Sequence, residues 1–340
     1  MTKKPVSKPV KKATVKANFT AGSSKVASAR RSNGSKTTPK RAKATFSAAA
    51  GRLMDASQSA ATKRAYACDL RHFELHGGTV PTTVRKLVEY LASFAETLSA
   101  ATLERRLIAI HKAHTEIGLS SPTVDATVKR MMQGIRRTCG THQRQVNPMV
   151  KDDLLEALVM IDQQKPLKAA RDRALLLIGF AGAFRRSELV AIRCEHISRV
   201  SNGIEIFLPK SKTDQERESA TIFIPNANGD RCPVRALMKW LEITGLTKGF
   251  VFRAVTRYDS VSKRGLSAQS VALIVKASVS RVGGDSTKFS GHSLRAGYCT
   301  QAAISGLQPY QIREQSRHKS DVTLAKYIRP VSRRNSPSLL

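Results

Sequence analysis

A chain of 340 residues with 58 Lys and Arg against 25 Asp and Glu carries a formal charge of +33, long enough for two domains with cores of their own and basic enough that its natural partner is a polyanion, nucleic acid first, because Lys and Arg that neutralise phosphates release condensed counterions. A basic membrane-surface protein is disfavoured by the lack of a strongly amphipathic basic helix with an aromatic apolar face, and the longest apolar run, Ala174 to Phe184, falls short of the roughly 20 residues that a span needs. No apolar segment follows Met1 as secretion requires, and the five cysteines, Cys68, Cys139, Cys194, Cys232 and Cys299, are odd in number and never form a CxxC pair, which reads as free thiols in a reducing cytosol.

Residues 1–45 hold 13 Lys and Arg and no acid, among Ser, Thr, Ala, Pro and Gly. Such a segment cannot bury enough apolar surface to order itself, and we expect a disordered basic tail that serves as a sequence-independent electrostatic arm. Removing it leaves 33 − 13 = +20 on the rest of the chain. A transit peptide fits less well, since Lys and Pro stand where Arg and an amphipathic pattern would be expected.

Residues 59–137 predict four helices. Tyr66, Leu70 and Phe73 fall on one face of the first, which Gly77 and Gly78 stop. Thr83 caps the second, with Val84, Leu87, Val88 and Leu91 inward. Ser99 opens the third with Leu103, Leu107 and Ile110 inward, turning Arg105 and Arg106 away. Pro122 introduces the fourth, with Val124, Val128, Met131 and Ile135 packed and Lys129, Arg130, Arg136 and Arg137 outside. Four helices with basic outer faces suit a small bundle pressed on a duplex. His111 and His114 lack a carboxylate or Cys at ligand spacing, as do Cys139 and His142, so no metal is expected. The boundaries are a helical unit over 46–137, a Gly- and Pro-bearing linker over 138–149, a second domain over 150–330 and a short tail over 331–340.

The second domain opens on a helix from Lys151, with Leu154, Leu155 and Leu158 inward, and Pro166 interrupts. Ala170 to Phe180 is apolar nearly all round, as a central helix should be. It ends at Gly182, and Arg185 follows in the turn before a helix near Ser187. A rigid turn suits an Arg whose fork must meet two oxygens of one phosphate; Arg186 is its neighbour and rival. Glu188 either caps that helix or buttresses Arg185. Ile204 to Leu208 and Ala220 to Ile224 alternate as a hairpin, whose long loop carries Lys210 and Lys212. Cys232 to Trp240 and Leu266 to Val279 supply two more helices, with Trp240 in the core.

The stretch Gly291 to Pro330 gathers His292, Arg295, His318 and Tyr327 with almost no acid. Arg and His donate to the oxygens of a phosphate and spread its developing charge, and a Tyr hydroxyl is then placed to attack the phosphorus. Tyr327 falls on a short helix that Ser320 or Asp321 caps and Pro330 ends. Tyr298 and Tyr310 are the rival nucleophiles, the first one turn from Arg295 and expected to pack, the second outside any pattern.

His-x-x-Arg, a second His and a Tyr nine residues later, preceded by Gly182, Arg185, Glu188 and Leu189, resembles the two boxes of the tyrosine recombinases, the phage integrase family, over about Ser59 to Arg329. The resemblance implies a mainly α protein with a small β component: a SAM-like four-helix core-binding domain clamping one side of DNA and an α+β catalytic domain. It implies a site-specific DNA recombinase or integrase that works without metal or other cofactor through a 3′-phosphotyrosyl intermediate, as a homo-tetramer on two duplexes of double-stranded DNA, in the bacterial cytoplasm on the nucleoid. The implied catalytic set is Tyr327, Arg185, Lys212, His292, Arg295 and His318, with Glu188 behind Arg185 and with Arg105, Arg106, Lys129, Arg130, Arg136 and Arg137 as DNA contacts. Lys212 matches the hairpin lysine of the family, with Lys210 two residues away. A type IB topoisomerase-like nicking and closing enzyme, or a catalytically inactive DNA-binding relative, are the alternatives. Two departures lie beside the site: Arg317 stands where the family often has Gly before the His, and AGAFR (Ala181 to Arg185) stands for a Thr-Gly-Leu-Arg turn. The cationic surroundings of Tyr327 are expected to favour its phenolate.

If residues 1–45 touch phosphates, deleting them flattens the slope of log affinity against log salt while leaving site preference intact; titrations of the full-length and truncated proteins across a salt series check this, and an unchanged slope returns the tail to a solvated segment.

Overall fold

The computed structural model describes residues 47–141, 145–209 and 219–334. The basic tail, the hairpin loop that carries Lys210 and Lys212, and His142 lie outside them.

Helix α1 (Ala48–Ala56) precedes the bundle and was not expected from the sequence; its Leu53 and Met54 are exposed. The four predicted helices follow as α2 (Ala60–Leu75), α3 (Val84–Phe94), α4 (Ala100–Glu116) and α5 (Ala126–Thr138). Each begins where a short polar side chain takes an otherwise orphaned N–H: Ser59, Thr83, Ser99 and Asp125 accept from the backbone of Thr62, Lys86, Thr102 and Thr127. Phe73, Leu87, Leu91, Leu103, Ile110, Val128, Met132 and Ile135 form their common core.

Two expectations in the bundle are corrected. Pro122–Val124 forms a separate 3-10 turn, so α5 starts later and Val124 is 56% exposed, while Val128 and Ile135 are buried with Met132, and Met131 packs against them. Arg106, expected on the outer face, is buried. A buried carboxylate, Asp69, explains this, since it must be paired to be tolerated. Arg105 grips Asp69 with Nε and Nη2 at 2.7 and 2.9 Å, while Arg106 stays 3.7 Å from it and donates to the Tyr90 hydroxyl. His114, on the same helix, is likewise structural, its Nε2 accepting from the Thr82 N–H. Arg136 pairs with Glu104 at the surface, and Lys129, Arg130 and Arg137 are exposed.

Beyond the bundle, α6 (Lys151–Ile161) and α7 (Pro166–Ala181) begin the larger core, with Pro166 at the first position of α7, where its missing N–H is harmless. The short α8 (Arg186–Ala191) leads to strands β1 (Ile197–Val200), β2 (Gly203–Leu208) and β3 (Ala220–Pro225), an antiparallel sheet in the order β1-β2-β3. The predicted hairpin is β2–β3, in register Ile204 with Ile224 and Ile206 with Ile222. These four isoleucines are buried, while Phe207 and Phe223 face outward. Helix α9 (Pro233–Thr244) buries Trp240, whose indole donates to the Val251 carbonyl. A small hairpin of β4 (Arg253–Val255) and β5 (Val261–Gly265), too short and polar to read from the sequence, precedes α10 (Ala268–Arg281). The chain ends in α11 (Ser293–Ile304), α12 (Pro309–Ser316) and α13 (Asp321–Arg334). Helix α13 continues past Pro330, taking in residues 331–334 of the expected tail; one proline removes a single N–H bond and does not by itself unwind the turns around it. The described chain is mostly helical with a small β component.

A second apolar cluster joins the last three helices. Cys299 and Ala302 of α11, Ile312 of α12 and Leu324 of α13 are buried together, with Tyr298, Tyr327 and Ile328 packed against them. Glycine at 297 brings the incoming chain onto α11: a Cβ there would lie 1.8 Å from the Met149 carbonyl oxygen, and the Met149 N–H donates to the Ser293 carbonyl. Gly134 in α5 has no atom within 4 Å of the same position.

Ala at these two glycines therefore acts in opposite directions. Gly134→Ala raises stability by up to ~1 kcal/mol, as in any open helix position, whereas Gly297→Ala lowers it by about 1–3 kcal/mol through overpacking; thermal unfolding of both variants checks this, and a stabilised Gly297→Ala protein contradicts the packing described.

Candidate active site

The site is assembled from three chain segments. The first is the turn at the end of α7. Gly182 closes the helix, Ala183 takes a left-handed φ of 46°, and Arg185 emerges just before α8. Glu188 fills both of the roles open to it. Its Oε2 accepts from the Arg185 N–H at 2.8 Å, satisfying the helix start, and its Oε1 accepts from Arg185 Nη1 at 2.7 Å. Burial would push this carboxyl up, but Arg317 and Arg185 hold it down to about 2. Arg186 lies exposed with its stem over Gly291, leaving Arg185 as the inward guanidinium.

The second segment is the start of α11. His292 stands at its cap and Arg295 in its first turn. Arg295 is 1% exposed; Nη1 donates to the Ala183 carbonyl at 2.8 Å, and Nη2 is buried with no hydrogen-bond partner among the described residues. Burial, with Arg185 and Arg317 adding repulsion, pulls Arg295 down to about 9, still protonated at neutral pH. A buried, unsatisfied donor on a cation calls for an anionic acceptor.

The third segment is the turn from α12 into α13. Arg317 caps α12 in the left-handed region, and His318 follows, with Nδ1 2.7 Å from the Ser316 hydroxyl. Burial first, then Arg295 and Arg185, lowers His318 to about 3. Nearly two turns into α13, the Tyr327 ring lies 5.7 Å from that of His318, and its Oη is 2.7 Å from His292 Nε2. Burial, followed by the charges of Arg295 and Arg185, also lowers His292, so both histidines are neutral at pH 7.

Arg185, His292, Arg295, His318 and Tyr327, spread over more than 140 residues of sequence, thus meet in one place. Lys212 and its rival Lys210 lie outside the described residues. The rival tyrosines are accounted for: Tyr298 packs edge-on against Phe180, and burial raises its hydroxyl to about 12, while Tyr310 is 68% exposed. The expectation of a phenolate at Tyr327 is not met: burial raises its pKa, with Cys299 adding to the rise and Arg295 only partly opposing it. Arg317, read from the sequence as a departure beside the site, lies inside the cluster, with a left-handed backbone and a reach to Glu188 of 2.9 Å. Among the described residues, no group of three or more His, Cys, Asp or Glu side chains converges as metal ligands would, and no helix is long and apolar enough to cross a membrane.

Comparison with known proteins agrees with this geometry. The model of the phage integrase family matches residues 148–333. An integrase/recombinase xerD homolog of Selenomonas ruminantium is 40% identical over 288 residues, covering 82% of this chain and 84% of the homolog. Among solved structures, the XerH site-specific recombinase bound to palindromic difH substrate in a post-cleavage complex superposes with a TM-score of 0.60 at 18% identity, over 80% of this chain and 77% of that one. A lambda integrase dimer bound to a COC′ core site superposes with a TM-score of 0.55 at 16% identity, over 85% and 95%. At those identities the superpositions speak to the fold; the family rests on the sequence matches. The chain belongs to the phage integrase family, the tyrosine-type site-specific DNA recombinases.

Proposed function

We propose that Tyr327 is the nucleophile of a DNA strand-transfer reaction in which His292 takes its proton and Arg185, Arg295 and His318 hold the scissile phosphate. The observation that carries this reading is the 2.7 Å contact between Tyr327 Oη and His292 Nε2 beside the unpartnered Nη2 of Arg295. The phenol is poorly acidic where it sits, so attack needs a base within hydrogen-bond reach. Neutral His292 accepts the proton on Nε2 as the new bond from Oη to phosphorus forms and the bond to the 5′ oxygen breaks. Arg185 and Arg295 hold nonbridging oxygens and share the charge of the pentavalent transition state. In this reading neutral His318 carries its proton on Nε2, the tautomer that donates to a phosphate oxygen, and its Nδ1 accepts from the Ser316 hydroxyl 2.7 Å away. Lys212 is assigned as the acid that protonates the departing 5′ oxygen. The product is a 3′-phosphotyrosyl link and a free 5′ hydroxyl, and a 5′ hydroxyl from a partner strand reverses the step.

The larger assembly follows from the same reading. The α2–α5 bundle is the core-binding domain, joined by a linker to the catalytic domain that starts near residue 150. Lys129, Arg130 and Arg137 contact phosphates, and Arg105 and Arg136 add charge from their ion pairs. Arg106 is withdrawn from the DNA contacts, being buried against Tyr90. Exchange between two duplexes calls for a tetramer, acting on double-stranded DNA at a specific site in a mobile element, in the bacterial cytoplasm on the nucleoid. Strand exchange as well as nicking and closing separates this reading from a topoisomerase.

Two experiments test it. From a library of nicked duplexes with randomised cores, the wild-type protein captures a covalent adduct and Tyr327→Phe binds the same duplex but captures none; an adduct formed by Tyr327→Phe contradicts the assignment. Because His292 titrates below the ordinary value of 6.5, single-turnover cleavage is level from pH 7 until Arg295 starts to lose its proton near 9 and falls as His292 is protonated on the acid side; a rate that rises tenfold per pH unit just above pH 7 would mean that the phenol ionises unaided.

A further inference from the structure

We propose that Arg317 is a positioning residue for strand cleavage, holding Glu188 and the Arg185 turn against the loop that presents His318. This rests on the recombinase reading of the site.

The backbone of Arg317 has φ 57° and ψ 42°, a conformation that glycine adopts freely and that other residues adopt when something holds them there. What holds Arg317 is its side chain. Nη2 donates to Glu188 Oε2 at 2.9 Å and Nη1 to the Gln315 carbonyl at 2.7 Å, with longer bonds to the carbonyls of Gly182 and Ala183 at 3.3 and 3.4 Å. The guanidinium also lies over the Phe184 ring, 5.3 Å from its centre. The attachment is reciprocal, because Arg185 Nη2 donates back to the Arg317 carbonyl at 3.2 Å. Arg317 therefore touches every residue from Gly182 to Arg185, and it shares with Arg185 the carboxylate of Glu188.

This arrangement separates side chain from backbone. Glycine at 317 suits the left-handed turn and keeps the carbonyl that Arg185 uses, but it removes the bonds to Glu188 and to the carbonyls of Gly182 and Ala183. The Ala183 carbonyl is also the acceptor for Arg295 Nη1, so both catalytic guanidiniums are anchored on the turn that Arg317 braces. Lysine at 317 would keep a charge near Glu188 without the planar fan of donors that reaches four acceptors.

The test is single-turnover cleavage of a suicide duplex selected by covalent capture with the wild-type protein. Arg317→Gly is expected to keep the wild-type melting temperature and DNA affinity and to cleave about 10- to 100-fold more slowly, with Arg317→Lys recovering part of the loss. Its pH profile should move as well. Without Arg317 the Glu188 pKa rises from about 2 towards its ordinary 4.5, so Arg317→Gly loses rate relative to wild type as the pH falls through about 4.5 and below. In a Glu188→Gln background, Arg317→Gly should change the rate by clearly less than it does in the wild-type protein, the remainder reflecting its bonds to the Gly182 and Ala183 carbonyls. Wild-type rate and pH profile in Arg317→Gly overturn the inference. So does a loss of cleavage matched by losses of melting temperature and affinity, or the full effect persisting beside Glu188→Gln. Should the wild-type protein form no adduct, the recombinase reading falls and this inference with it; a wild type that cleaves no faster than Arg317→Gly leaves that reading standing and removes only this inference.

Discussion

Three guanidiniums, two histidines and one carboxylate occupy the same half-buried space, and this imbalance of charge governs the site. Two like charges at 4 Å repel by about 4 kcal/mol even at an effective dielectric of about 20, so the free protein has to accommodate the excess. It does so by keeping His292 and His318 neutral, by sharing Glu188 between Arg185 and Arg317, and by turning Nη1 of Arg295 onto a backbone carbonyl. What remains is the buried Nη2 of Arg295, an arrangement that a phosphodiester completes and that water or a neutral ligand does not.

The fold supplies the rigidity this requires. Arg185 stands in the turn that follows α7, Arg295 of α11 donates to the Ala183 carbonyl of that same turn, and α7 runs through the centre of the larger core. Tyr327 is tethered differently. Its helix is held by the small cluster of Cys299, Ala302, Ile312 and Leu324, far less apolar surface than the core that fixes the arginines. A tyrosine on the more weakly held element, against cations on the more strongly held one, is a division suited to the proposed role of Tyr327, which carries DNA covalently and then releases it.

Much of this was legible in the sequence because it depends on short-range chemistry. Ser59, Thr83 and Ser99 start helices by bonding their own backbone, and the isoleucines of β2 and β3 alternate because a sheet has period two. Arg185, His292, Arg295, His318 and Tyr327, which the fold brings together, were picked out through spacing within two boxes, which survives whatever lies between. What escaped depends on partners distant in sequence. Arg106 looks like a surface residue until Asp69, 37 positions earlier, is seen buried beside it. The pKa of Tyr327 was misjudged because counting neighbouring cations leaves out desolvation, which outweighs Arg295. Strands β1, β4 and β5 are brief and polar, and their pairing partners define them more than their composition does. Arg317 looked like a departure from the family pattern beside the site; its place in the site is visible only when its torsion angles and Glu188 are seen together.

The central claim is that one phenol oxygen takes over a DNA phosphate. Tandem mass spectrometry of the trapped adduct, after protease and nuclease trimming, tests it most directly: the account predicts a nucleotide attached to Tyr327 through a 3′-phosphate. A nucleotide on Tyr298, Tyr310 or a serine, or a 5′-phosphate linkage at Tyr327, would contradict it.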